Sequence, residues 1–314
     1  MSRHHVIDST PDTIHWGFFD ATLAPVARIK SGDTVTFNCV SGGRDAMPPP
    51  GSRLKTPPDL ALIHEKCTQR MPGHILTGPV AIEGAEPGDT LEIRVRDVQV
   101  RNDWGWNITR PLKGLLPEDF PQTRILHIPV DRERGVALCP WDMEIPLSPF
   151  CGVMGVAPPK HYGAVSTIEP RAYGGNLDLK EMVAGSTLYL PIFNQGALFS
   201  TGDGHGCQGD GEVDLSALEI AVEATFELIL RKDLSLRSPR AETPTHWIAI
   251  GLDEDLDDAA KMAVREMIKL LGELRNMHPA DAYALCSLAV DLHVTQVVDG
   301  VKGVHAMLRK SLLR

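Results

Sequence analysis

The densest run of chemically capable side chains is Thr201–Glu212, TGDGHGCQGDGE, in which five glycines separate two aspartates, a glutamate, a histidine and a glutamine. Asp203, His205, Asp210 and Glu212 offer imidazole and carboxylate ligands to a divalent metal. Asp203 and His205, two apart, would face one side of an extended segment. Glycines let backbone and ligand approach closely. The same residues would serve equally as a glycine turn with solvated acids or as a calcium-like structural loop, because this spacing alone is not a metal signature.

Three smaller clusters accompany it. Gly174–Asp178, GGNLD, places Asn176 and Asp178 in a segment that also reads as a plain turn, since both residue types bond their own backbone. His74 immediately precedes a strand candidate in GHILTGPV, where a structural histidine is the simpler reading. Trp16, in HWG, suits a pocket wall or the core. No GxSxG elbow occurs. One SxxK does, Ser52 to Lys55, but in a proline-rich stretch without the helix needed to aim the lysine.

Together these motifs resemble the acetamidase/formamidase family. The resemblance runs in order from about His15 to the C-terminus through GHILTGPVAIEGAEPGDTLEIRV, GWN, GVMGVAP, YGGNLD, GALFSTGDGHGCQGDGE and DLHVTQVVDGVKGVHA. GDGH–QGDGE is its most specific part. Gly206 and Cys207 stand where small residues, often alanine, are common in the family. The resemblance implies hydrolysis of short aliphatic amides to carboxylate and ammonia, a mostly β architecture with a C-terminal α/β part, and a homo-oligomer.

Amide hydrolysis needs an activated nucleophile, a stabilised oxyanion and a proton for the leaving nitrogen. A metal supplies the first two by acidifying water and polarising the carbonyl. Metal-assisted attack by water is therefore the expected route. The expected ligands are Asp203 and His205, then Asp178 and His74, and the expected ion is zinc, with calcium possible at an additional structural site. Glu212 is the candidate general base and later acid, and Asn176 or Gln208 the candidate partner of the amide or its oxyanion. Within enzymes the rival is Cys207 as nucleophile beside His205. Outside them, the rivals are a non-catalytic small-ligand or metal-binding protein on the same scaffold, and an oligomeric structural protein.

The elements that must position these residues are mostly strands. Glycine (28) and proline (24) among 314 residues exceed the roughly 12% of average usage, too many breakers for a bundle of long helices. KSGDTVTFN from Lys30, EPGDTLEIRV from Glu86 and VAGSTLYLPIF from Val183 each carry a turn followed by period-two alternation. Further strands are expected at Gly78–Glu83, Arg124–Val130, Glu219–Leu230, His246–Ile250 and Asp291–Val298. Helices are expected at Asp257–Leu274 and from Pro279 to about Val290, lying against the strand Asp291–Val298. The stretches Arg101–Glu118 and Asp131–Tyr173, rich in Pro, Gly and Trp, read as long ordered loops. The expected fold is α+β and β-dominated: packed, sandwich-like sheets over residues 1–230, and a smaller α/β portion over 231–314 packed closely on them. Trp104, Trp106, Phe120, Trp141 and Phe150 would cover the chain's own pocket or meet a second subunit.

A net charge of −10 lowers any expectation of nucleic-acid binding. No run of about 18 apolar residues suggests a membrane span, and the N-terminus lacks a signal-peptide core. Six scattered cysteines without a CxxC pair read as reduced thiols of a cytoplasmic protein.

Overall fold

A computed structural model of the chain describes residues 2–313. The largest sheet has nine strands, in the order His4–Asp8, Asp33–Cys39, Val222–Arg231, Thr90–Val100, Thr187–Pro191, Arg240–Glu242, His246–Asp253, Lys302–Arg309 and Val290–Gln296. The three turn-to-strand segments read from the sequence are Asp33–Cys39, Thr90–Val100 and Thr187–Pro191, all in this sheet. Val222–Arg231 is a strand as its alternation predicts, pairing antiparallel with both Asp33–Cys39 and Thr90–Val100.

A second sheet runs Gly174–Asn176, Phe150–Gly155, Phe199–His205, Ile75–Ile82 and Ile14–Trp16, with Ala27–Ile29 parallel beside Ile75–Ile82. The two sheets pack face to face. Phe199 of the second sheet lies 5.8 Å from Phe37 and 5.9 Å from Phe226 of the first, ring centre to ring centre, and all three are fully buried. Such edge-on aromatic contacts add to the burial of the ring area itself. The fold is β-dominated α+β.

Two expectations fail here. The stretches read as loops contain strands: Trp104–Thr109 in the first, and Val136–Cys139, Met143–Pro146 and Phe150–Gly155 in the second. Glycine misled because within a strand it marks close approach rather than a turn. A Cβ on Gly155 would lie 2.9 Å from the Gly175 nitrogen and 2.8 Å from the Phe19 ring. Of the aromatics expected to cover a pocket or meet a second subunit, Trp104 and Phe150 are buried, whereas Phe120 and Trp141 stand exposed.

Both expected helices are present within a residue of their expected bounds, but a third precedes them and the packing of the long one differs. α1 (Pro58–Lys66), absent from the sequence reading, opens on proline. α2 (Leu256–Arg275) begins at Asp255, whose carboxylate accepts from the amides of Asp257 and Asp258, and ends at left-handed Asn276. It lies on the strands His246–Asp253 and Lys302–Arg309, not on Val290–Gln296. The reason is steric. Gly251 leaves no Cβ where the Ala259 carbonyl comes down, a point only 2.0 Å away, so helix and sheet meet closely. α3 (Pro279–Ala289) leads directly into Val290–Gln296 and packs against it. No helix among the described residues is long and apolar enough to cross a membrane.

Candidate active site

The strand Phe199–His205 carries Asp203 and His205 into the molecule, where both are buried. His74 precedes the neighbouring strand Ile75–Ile82, and Asp178 follows the edge strand Gly174–Asn176. These pairings bring residues over 100 positions apart in sequence to one point. His205 Nε2 lies 3.3 Å from Asp203 Oδ2 and 3.9 Å from Asp178 Oδ1. His74 Nε2 lies 3.6 Å from Asp203 Oδ2. The backbone is bent to achieve this: Asp178, Asp203 and Glu212 have φ of 48°, 55° and 46°, the left-handed region that non-glycine residues rarely adopt. Such outliers cluster where function requires them.

Two further carboxylates join the group, both missed in the sequence. Glu219 Oε1 lies 3.2 Å from His205 Nε2. Its backbone bridges His205 on one side and Trp106 on the other, exchanging two hydrogen bonds with Trp106 (2.8 and 2.7 Å). Asp299 comes from the turn between the last two strands, and its carboxyl meets that of Asp178. Glu219 shares its parity with solvent-facing Glu223, so alternation argued for exposure. Asp299 sits in a Val-Asp-Gly run that reads as an ordinary turn.

A cavity of about 570 Å³ opens onto this group. His74, Asp203, Glu219 and Asp299 reach it, together with Trp16 and Trp106. Glu212, Gln208 and Cys207 instead line a separate cavity of about 500 Å³. Asn176 is buried with its Oδ1 unpartnered but lines neither. Glu212 still joins the cluster, with ligand atoms of Asp178, His205 and Glu212 mutually within 4.8 Å.

Gln208 is occupied within the protein. Its Nε2 donates to the carbonyl of Asp178 (2.8 Å), which turns Oε1 toward His205 Nδ1 at 2.9 Å. His205 therefore carries a proton on Nδ1 and presents Nε2 to the carboxylates. The Nδ1 hydrogen bond sets which nitrogen is free for a ligand. His74 is oriented similarly, its backbone N–H donating to Thr167 Oγ1 (2.8 Å), which also meets Nδ1 at 3.3 Å.

Electrostatics follow from this crowding. Burial alone would lower His205, but Glu219 and Asp203 outweigh it and hold the ring well above its ordinary value. Burial would raise Asp203, yet His74 and His205 hold it well below the carboxylate range. Burial lifts Glu219 to about 7, with His205 opposing and Asp203 adding. Glu212 and Asp299 are pushed well above their ordinary values by burial and then by Asp178. The residues fit a cation: buried oxygens on Asp178, Glu212, Glu219 and Asp299 have no hydrogen-bond partner, and one ring nitrogen faces three carboxylates. The cysteine alternative fares poorly. Burial raises the Cys207 thiol to about 11, and it lies in the other cavity. The Lys55 ammonium donates to the Ser52 carbonyl (2.7 Å) rather than activating its hydroxyl.

The chain is 25% identical to a formamidase of Methylophilus methylotrophus, the match covering 88% of this chain and 84% of that protein. Two crystal structures share the fold. An acetamidase from Bacillus halodurans is 30% identical with a TM-score of 0.84, over 98% of both chains. A recombinant predicted acetamidase/formamidase from Thermoanaerobacter tengcongensis is 26% identical with a TM-score of 0.87, over 100% of this chain and 98% of that one. A sequence model of the acetamidase/formamidase family matches residues 15–165 and 160–308, and the chain belongs to that family.

Proposed function

We propose that this protein is an amidohydrolase that cleaves short aliphatic amides such as formamide and acetamide to carboxylate and ammonia. The observation that carries the reading is the buried His74–Asp203–His205–Glu219 group at the base of the 570 Å³ cavity, in a chain of this family.

His74, Asp203 and His205 would hold a divalent ion, and their imidazole and carboxylate donors suit zinc. Such an ion supplies Lewis-acid polarisation of the amide carbonyl and acidifies the attacking water. The remaining work belongs to the side chains. Glu219 faces the cavity and takes the proton as the water oxygen bonds to the carbonyl carbon. It returns that proton to the nitrogen as the C–N bond breaks, so ammonia leaves neutral. We place this role on Glu219 rather than Glu212, because Glu219 lines the cavity that His74 and Asp203 reach, whereas Glu212 lines the other one. Gln208 fixes the His205 tautomer. We further infer a cytoplasmic protein from its six free cysteines. We also infer a homo-oligomer from exposed Phe120 and Trp141, testable by sedimentation.

The test is ammonia release from formamide, acetamide and propionamide, with and without a chelator. Glu219→Gln should fold and lose about 100-fold or more of kcat, the scale of general acid–base catalysis. Wild-type protein that releases no ammonia from any of these amides would refute the reading.

A further inference from the structure

The cavity that opens onto Asp203 and Glu219 is far larger than formamide or acetamide requires. At about 30 Å³ per water, its 570 Å³ would hold roughly 19 waters. That volume falls in the range of about 300–1,000 Å³ of sites that enclose drug-sized ligands. A formyl or acetyl group would leave most of it to water.

The walls are apolar and come from distant parts of the chain: Trp16, Val40, Ile75, Trp106, Ile108 and Leu215. Trp16, Val40 and Ile75 form a buried cluster with Leu60 and Ile63 of α1, and the Trp16 ring stacks on His64 at 5.6 Å. Packing behind this wall holds it in place, so it does not close down on a small substrate. The charged residues that the cavity reaches besides the acidic group lie toward solvent. Arg110 pairs with exposed Asp45 (2.7 Å), and Lys113 is exposed. No cation therefore waits in the apolar part for an anionic substituent.

Leu215 adds an independent sign. Its φ of 115° lies where a bulky side chain is a rare outlier, in a turn closed by its amide donating to the Glu212 carbonyl (3.2 Å). Strain of this kind persists where the surrounding structure imposes it, and it gathers at ligand sites. Glycine would remove the strain, whereas leucine keeps an apolar side chain on the wall.

We propose that the cavity selects primary amides whose acyl group is uncharged, apolar and larger than acetyl, such as butyryl or phenylacetyl, with Leu215 as a specificity-determining wall residue. This rests on the amidohydrolase reading and names its preferred substrate class. The carboxamide lies against the acidic group and the acyl group against the tryptophans and Leu215. Contacts remote from the reacting carbonyl raise the rate when they are fully made only in the transition state.

The experiment compares kcat/KM for ammonia release from acetamide, butyramide and phenylacetamide. A methylene that fits an apolar pocket is worth about 10-fold or more. Butyramide, two methylenes longer, should therefore exceed acetamide by about 100-fold, and phenylacetamide should exceed butyramide. Leu215→Gly suits the backbone, so it should fold and lower the phenylacetamide-to-acetamide ratio by about 10-fold. Ile168→Ala, at a half-buried position on the same wall, gives the same readout if that variant does not fold. Cleavage of acetamide with the larger amides no better would overturn the proposal and leave the amidohydrolase reading standing. An unchanged ratio in a folded variant would also overturn it. No ammonia from any of the amides would overturn the reading on which it rests.

Discussion

Gly152 lies in the strand Phe150–Gly155 at the point where the carboxylates converge. Its φ is negative, so alanine is compatible with the backbone. The added methyl would sit 2.4 Å from Asp178 Oδ1, 2.8 Å from Asp203 Oδ2 and 2.9 Å from His205 Cε1, where ordinary contact begins at 3.4 Å. Relief requires Asp178 to move by about 1 Å and Asp203 by roughly half that, and a misplacement of about 1 Å costs about 100-fold in rate. Overpacking costs about 1–3 kcal/mol. With an unfolding entropy of about 2.1 cal/mol/K per residue, a chain of this length would lose only about 2–5 °C in Tm. Gly152→Ala should therefore melt close to wild type while ammonia release from formamide falls about 100-fold. Gly272→Ala, near the end of α2 with its closest neighbour at 3.8 Å, should leave activity unchanged. If Gly152→Ala kept kcat/KM within about threefold of wild type, the convergent carboxylates would not be the reaction centre.

Cys207→Ser should retain kcat within about twofold, since its thiol is raised to about 11 and lies away from the cavity of Asp203 and Glu219; a loss of 100-fold would revive the thiol nucleophile. Lys55→Met should leave ammonia release unchanged, because the ammonium meets only a backbone carbonyl. His15 should set an acid limit on stability. Burial lowers its ring from 6.5 to about 4, so the folded state holds it neutral. That contribution is complete above about pH 6.5 and is lost as pH falls toward 4, amounting to about 2 kcal/mol at pH 5. Urea unfolding of wild type at pH 7 and pH 5 should show a loss larger by about this amount than in His15→Gln. Equal losses would mean that His15 titrates normally.

The sheet framework was largely legible because alternation survives wherever one strand face is buried, as in Val222–Arg231. The GDGH–QGDGE run marked the family, and Asp203, His205, His74 and Asp178 do meet in space. Two kinds of information were out of reach. Whether a glycine turns the chain or admits a neighbour depends on atoms from other strands, so Phe150–Gly155 read as loop. A side chain's cavity is likewise a tertiary fact. Glu212 and Glu219 are both buried acids near His205, yet only the fold shows which one faces the opening. Placing α2 required knowing that Gly251 lies beneath Ala259, a contact that periodicity does not encode.

The position of Asp299, in the turn before the final strand, bears on when in synthesis the buried group of carboxylates is assembled. His74 emerges early in synthesis, Asp178 to Glu219 in the middle, and Asp299 only when 15 residues of the 314 remain. Lys302–Arg309, which pairs with both His246–Asp253 and Val290–Gln296, follows later still. The group therefore stays incomplete until the turn before this last-paired strand has been added. The buried carboxylate group is thus a property of the folded chain with its last strands in place, rather than of its amino-terminal part.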